Sequence, residues 1–195
     1  MPFSSTTRLL PRASNRTLNR LRAYIRADFR MRKIAPSARA FALNPIVRFT
    51  VLLRLNEYLE NRGVSFFLRA LPYIWYRRLA IRLGFTVPLN VFGPGLAIVH
   101  YGLLVVTDKA TVGRNCRIHM GAHIGGTKTG YPVIGHNCYI APGAKIFGGI
   151  KIGDCCRIGA NAVVNKSFPS NVTIVGVPAK ISSGAGNVMD QSGVE

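Results

Sequence analysis

From Val106 to Val164 an aliphatic side chain returns at nearly every sixth position: Val106, Val112, Ile118, Ile124, then Ile134, Ile140, Ile146, Ile152, Ile158 and Val164. Only the step from Ile124 to Ile134 departs, by four extra residues. Two places before these positions stands a small or apolar residue: Leu104, Ala110, Cys116, Ala122, Cys138, Ala144, Ile150, Cys156, Ala162. A glycine often follows, as at Gly113, Gly125, Gly135, Gly153 and Gly159. A period of six matches neither the 3.6-residue turn of a helix nor the two-residue alternation of a strand. It matches strands of about three residues joined by tight turns and stacked coil upon coil. The result is a parallel β-helix in which each coil buries its inner face against its neighbours.

Upstream the pattern changes to helical spacing, and helices are predicted over 14–33, 45–61 and 65–83, the last kinked at Pro72. The chain thus divides into a helical region (1–83), a β-helix (84–181) and a small, polar tail (182–195) expected to be disordered. Cys116, Cys138 and Cys156 fall on the small inward position, where alanine also occurs, so they read as buried apolar side chains in a reducing compartment. Neither a disulfide nor a metal site has the paired spacing it needs.

Charge sharpens this division. The chain is 195 residues long with a formal net charge of +19. Up to Arg82 there are 17 Lys/Arg against Asp28, Glu57 and Glu60; the remainder has 9 against 4 acids. The excess therefore belongs to the helices. A basic amphipathic surface of this kind fits anionic lipid headgroups or nucleic acid, and the alternative is a solvated face. The start of the chain lacks the apolar core of a signal peptide. The uncharged run 83–107 is broken by Pro88, Pro94 and several glycines, which suits turns rather than a spanning helix. The expectation is a cytoplasmic protein with peripheral contact on the inner face of a membrane.

Within "AIVHYGLLVV", counting six back from Val106 lands on His100, a histidine where the lattice expects an aliphatic. His119 and His123 flank Ile118 and Ile124 and should point outward; His136 lies in a turn. A zinc site on the outward histidines would need partner residues that the sequence lacks, and no metal is expected.

The stretch from "GPGLAIVHYGLLVV" through "HMGAHIGGTKTGYPVIG" to "GANAVV" and "VGVPAKI" resembles the hexapeptide-repeat acyltransferases, which fold as left-handed β-helices. It is most similar to their serine O-acetyltransferase branch, which includes relatives of capsule and exopolysaccharide synthesis. "GGT" at Gly125–Thr127 and the spacing from His100 to Val106 carry that likeness. The resemblance implies an acetyl-CoA-dependent O-acetyltransferase, a homotrimer or dimer of trimers with active sites between neighbouring β-helices. The family's catalytic histidine falls on His100. Its role would be general base toward an acceptor hydroxyl, worth roughly a hundred- to ten-thousandfold in rate. Backbone N–H groups of the glycine-rich turns are candidate oxyanion donors. Carried over by position, Gly126, Pro142 and Ala160 would contact CoA. Lys166 and Lys180 would meet its phosphates. Asp28 aligns with a helical substrate-binding aspartate, and His123 and Tyr131 would line the acceptor cleft.

The departures bear on the acceptor. Val99 stands where the family has an aspartate next to the histidine, Phe85 where it has the aspartate that orients the ring, and Gly130–Tyr131 where it has an Arg-His pair. Valine cannot pair with an ammonium, nor glycine with a carboxylate. These changes favour a saccharide hydroxyl as acceptor, with L-serine, as in cysteine biosynthesis, the alternative. A non-catalytic nucleic-acid-binding protein is the third and weakest reading, since it leaves His100 unused.

Overall fold

The computed structural model describes residues 15–182. Its helices are α1 (Leu18–Met31), α2 (Ala38–Leu43), α3 (Pro45–Asn61) and α4 (Phe66–Leu83). The strands are β1 (Phe85–Thr86), β2 (Ala97–Ile98), β3 (Leu104–Val106), β4 (Thr111–Val112), β5 (Arg117–Ile118), β6 (His123–Gly125) and β7 (Val133–Ile134). They continue as β8 (Tyr139–Ile140), β9 (Lys145–Phe147), β10 (Lys151–Ile152), β11 (Arg157–Ile158), β12 (Val163–Val164), β13 (Thr173–Val175) and β14 (Lys180–Ile181).

The strands form three parallel ladders, the faces of a left-handed β-helix. The first face is β1-β3-β6-β9-β12, the second β4-β7-β10, and the third β2-β5-β8-β11-β13. At the far end β14 turns back antiparallel on β13. The register stacks the lattice residues in rows: Val106, Ile124, Ile146 and Val164 on the first face, Val112, Ile134 and Ile152 on the second. On the third the row is Ile98, Ile118, Ile140, Ile158 and Ile174. None of these side chains is more than 3% exposed, and each contributes about 1.5–3 kcal/mol by burial. The small positions are buried with them. Cys116, Cys138 and Cys156 are free thiols in that interior, and burial pushes the Cys116 thiol up to about 12.

That register corrects the frame at one place. Ile98 pairs with Ile118, so the row member before Val106 is Ile98, eight residues back rather than six. The two additional residues lengthen the turn between β2 and β3, and His100 stands exposed on it instead of taking an inward position. The turns from the second to the third face use a left-handed residue, Asn115 (φ 55°), Asn137 (φ 55°), Cys155 (φ 56°) and Asn171 (φ 63°). Asparagine tolerates this conformation better than most residues. The Asn115 amide donates to Asn137 Oδ1 at 2.9 Å, linking one coil to the next.

The helices close the other end of the stack, α4 against β1 and α1 against β2. α1 begins at Leu18, capped by the Thr17 hydroxyl, rather than at residue 14. α2 was not foreseen: six residues are too few to show a period, yet Ser37 caps them. α3 opens on the Asn44 cap with Pro45 in the first turn, as 45–61 predicts. α4 runs unbroken through Pro72 to the left-handed Gly84. It buries Tyr76, Ala80 and Leu83 and leaves Phe67, Leu71, Ile74, Trp75 and Ile81 exposed beside Arg78 and Arg82. Among the described residues no helix is long and apolar enough to cross a membrane.

One ion cluster fastens helices to coils. Arg54 is fully buried, and five acceptors meet its guanidinium: both oxygens of Asp28 (2.8 and 3.2 Å), Glu57 Oε2 (3.0 Å) and the carbonyls of Phe92 and Gly93 (2.9 and 2.7 Å). Asp28 Oδ1 also accepts from the backbone N–H groups of Gly95 and Leu96, at 2.8 and 2.7 Å. Every guanidinium donor is used. Removing one partner leaves a buried charge uncompensated, so Asp28→Ala is expected to cost about 3–5 kcal/mol, read from urea unfolding monitored by circular dichroism.

Candidate active site

His100 occupies the corner between the third and first faces. The strand register puts Met120, Pro142 and Ala160 at the same corner on successive coils. Next to it lies His119, its ring centroid 5.9 Å from that of His100 and 5.1 Å from that of Tyr139. His119 is on the outer side of the coil, as its place after Ile118 requires, but these rings cover it and only 8% stays exposed. Burial, then the charge of Arg117 and of His100, pulls its pKa down to about 4. His119 is therefore neutral where His100 would work.

The other predicted site residues separate into groups. Gly126 and Tyr131 lie in the loop that holds the four extra residues of the lattice, between the first and second faces. The Tyr131 ring packs directly on Gly126, where a Cβ would collide with it, and Lys109 Nζ sits 5.1 Å from the ring centroid. Thr127 and Gly130 close this loop with reciprocal backbone hydrogen bonds of 2.9 and 3.1 Å. Lys166, over the Phe168 ring at 5.7 Å, belongs to this same side of the coils. His123 is exposed on the first face, between Val105 and Lys145 of the neighbouring coils. Lys180 is exposed on β14. Within one chain, then, Pro142 and Ala160 share the corner of His100, whereas Gly126 and Lys166 lie across the first face.

One expectation needs correction. Asp28 does not present a carboxylate to a substrate, because Arg54, Gly95 and Leu96 engage both its oxygens. Phe85, which stands where the family has the orienting aspartate, is buried edge-on to Phe49 at 5.0 Å. In its turn, His136 Nδ1 accepts from the Arg114 N–H at 2.9 Å. Arg32, which residue spacing does not single out, crosses from the end of α1 to donate to the Ile98 carbonyl. No local signal reveals a contact between residues 66 apart. Arg117 was discoverable, as the outward neighbour of Ile118.

Comparison with known proteins places this geometry. The family described as bacterial transferase hexapeptide (six repeats) matches residues 131–166. Serine acetyltransferase from Brucella abortus has 30% sequence identity and a TM-score of 0.63, over 87% of this chain and 69% of that one. The chain belongs to the hexapeptide-repeat acyltransferases.

Within the family, serine acetyltransferase from Neisseria gonorrhoeae, solved in complex with serine, superposes with a TM-score of 0.67 at 26% identity, covering 85% of this chain and 70% of that one. Serine acetyltransferase of Buchnera aphidicola is 32% identical over 136 residues, 67% of this chain and 48% of that protein. The chain spans less than half the length of the curated relatives it matches. These names overturn the expectation of a saccharide acceptor, because relatives and structural neighbours are consistently serine acetyltransferases. The preference for a saccharide rests on Val99 and Gly130–Tyr131, and the likeness to a serine acetyltransferase over 87% of this chain outweighs those positions.

His119 makes a pH prediction. Its folded pKa lies below the 6.5 of an unfolded histidine, so the neutral form is favoured by folding. That contribution is complete above about pH 6.5 and is lost as pH falls toward about 4. Stability should drop by on the order of 3 kcal/mol across this window, and the drop should shrink in His119→Gln, measured by urea midpoints at each pH.

Proposed function

We propose that this chain is an acetyl-CoA-dependent O-acetyltransferase acting on L-serine, with His100 as general base. The observation that carries this reading is the exposed imidazole on a lengthened turn, at a corner shared with Pro142 and Ala160, in a fold whose relatives carry that name. A coenzyme A complex of the Brucella abortus enzyme is among the structural neighbours. The corner fits a thin acyl-carrier arm: Ala160 is small and exposed and Pro142 half-buried, so backbone is accessible along successive coils. His100 removes the proton from the serine hydroxyl as its oxygen attacks the thioester carbonyl. The C–S bond breaks as the tetrahedral intermediate collapses, and the imidazolium returns the proton to the departing CoA thiolate. Gly126, Pro142, Ala160, Lys166 and Lys180 are assigned to the donor, His123 and Tyr131 to the cleft wall. The test is thiol release from acetyl-CoA with L-serine. His100→Ala should lower kcat by about a hundred- to ten-thousandfold with the acetyl-CoA Kd unchanged.

We take the working form to be a homotrimer. The division of the donor residues between two corners supports it, since side-by-side chains would bring His100 of one opposite Gly126 and Lys166 of the next. Exposed Tyr101, Leu103 and Met120 next to His100 are surfaces such a neighbour would cover. We further assign the outer side of α4 to peripheral contact with an anionic membrane. Its exposed apolar residues are interleaved with Arg78 and Arg82 and carry no acid, a combination suited to lipid headgroups; a second copy would set arginine against arginine. The protein should co-sediment with phosphatidylglycerol-containing vesicles and not with pure phosphatidylcholine, and the doubly substituted Arg78→Glu, Arg82→Glu protein should lose that binding.

A further inference from the structure

The outer side of the third face, beside His100, is basic and short of acceptors. Among the described residues, Arg32 Nε, Arg117 Nε and His119 Nε2 are buried donors or acceptors without a hydrogen-bond partner, and all three sit here. Arg117 pairs its backbone with Ala97, and His119 follows two residues on, against His100. Arg32 reaches the carbonyl of Ile98, two residues before His100. The charges of Arg32 and Arg117 act on each other, and that of Arg117 on His119, which sets the three side chains within one locality. One coil further is Tyr139, and on the coil after that Arg157 lies 5.1 Å over its ring.

Among the described residues no carboxylate answers them. Asp28 acts on Arg32 electrostatically, but its oxygens are taken by Arg54, Gly95 and Leu96. Glu57 is bound to Arg54 and Glu60 to Arg69. Asp154 accepts from the His136 N–H on another turn, and Asp108 lies beside Thr107 across the first face. Leaving several cationic donors together, partly buried and unpartnered, is costly unless an anion joins them.

We propose that Arg32 and Arg117, with His119 Nε2, form an anion pocket that takes the carboxylate of the acceptor and so sets its hydroxyl against His100. This rests on the reading of His100 as the base toward L-serine. The family's Arg-His pair, absent at Gly130–Tyr131, is thereby replaced from a different face of the coil. Position selects a carboxylate over the other available anion. In serine the carboxylate is a few bonds from the reacting oxygen, whereas the phosphates of CoA lie a full pantetheine arm from its thioester. A guanidinium pair is the group suited to bidentate carboxylate binding.

The test compares L-serine with L-serinamide, which keeps the hydroxyl and ammonium and loses the carboxylate, in the full-length protein and in Arg117→Gln. In the unaltered protein the KM for serinamide should exceed that for serine tenfold or more. Arg117→Gln should erase this preference by raising the KM for serine, leave the KM for acetyl-CoA unchanged, and be partly rescued by Arg117→Lys; Arg32→Gln should act in the same direction. Equal use of serine and serinamide by the unaltered protein would overturn the proposal. So would an Arg117→Gln protein impaired only toward acetyl-CoA, which would make the bound anion a CoA phosphate. If neither acceptor is turned over, the assignment of serine fails, and calorimetric titration with glycerate decides the pocket separately. Binding that disappears in Arg117→Gln upholds it, and no binding to the unaltered protein refutes it.

Discussion

A charged guanidinium in the apolar interior is the constraint on which the rest depends. Arg54 stays ionised there because two carboxylates and two carbonyls surround it; without them, desolvation would cost several kcal/mol. Such a cluster adds little net stability over apolar packing of the same volume. What it supplies is position. Asp28 comes from α1, Arg54 and Glu57 from α3, and Phe92, Gly93, Gly95 and Leu96 from the turn before β2. Their mutual demands allow one placement of the helices on the coil that leads into His100.

Below that junction the molecule separates stability from chemistry. The six-residue lattice fills the interior with Ile and Val in unbroken rows and leaves the corners to small residues. The inward side chains of the regular coils contribute packing. The count departs from six at two places: two residues added before Val106 put an imidazole on the surface, and four added before Ile134 make the loop that holds Tyr131 on Gly126. Insertions are tolerated at a corner because the strand register on either side is set by inward residues that do not move.

The legible part of the fold was the part governed by short-range repetition. Rows such as Ile118-Ile140-Ile158 follow from period alone, as does the interior position of Cys116, Cys138 and Cys156. The helices at 45–61 and 65–83 declared themselves by caps and spacing. What stayed hidden depends on tertiary meetings. Asp28 reads as a substrate ligand by its alignment with the family's helical aspartate, and nothing local announces Arg54, 26 residues away. Arg32 carries no mark of its contact with Ile98. The frame slip at His100 was misread because counting backward assumes that each turn has equal length, and the turn that matters does not. Acceptor choice, inferred from Val99 and Gly130–Tyr131, erred for a related reason: a missing group at one position says little when another face can supply its counterpart.

The final antiparallel strand has a consequence for how copies of this protein meet. A stack of parallel coils ends in three rows of unpaired backbone groups, a template onto which another chain could add indefinitely. By folding β14 back on β13, the chain spends the exposed edge of the third face on itself, while helices block the opposite terminus. Growth along the coil axis is thereby discouraged.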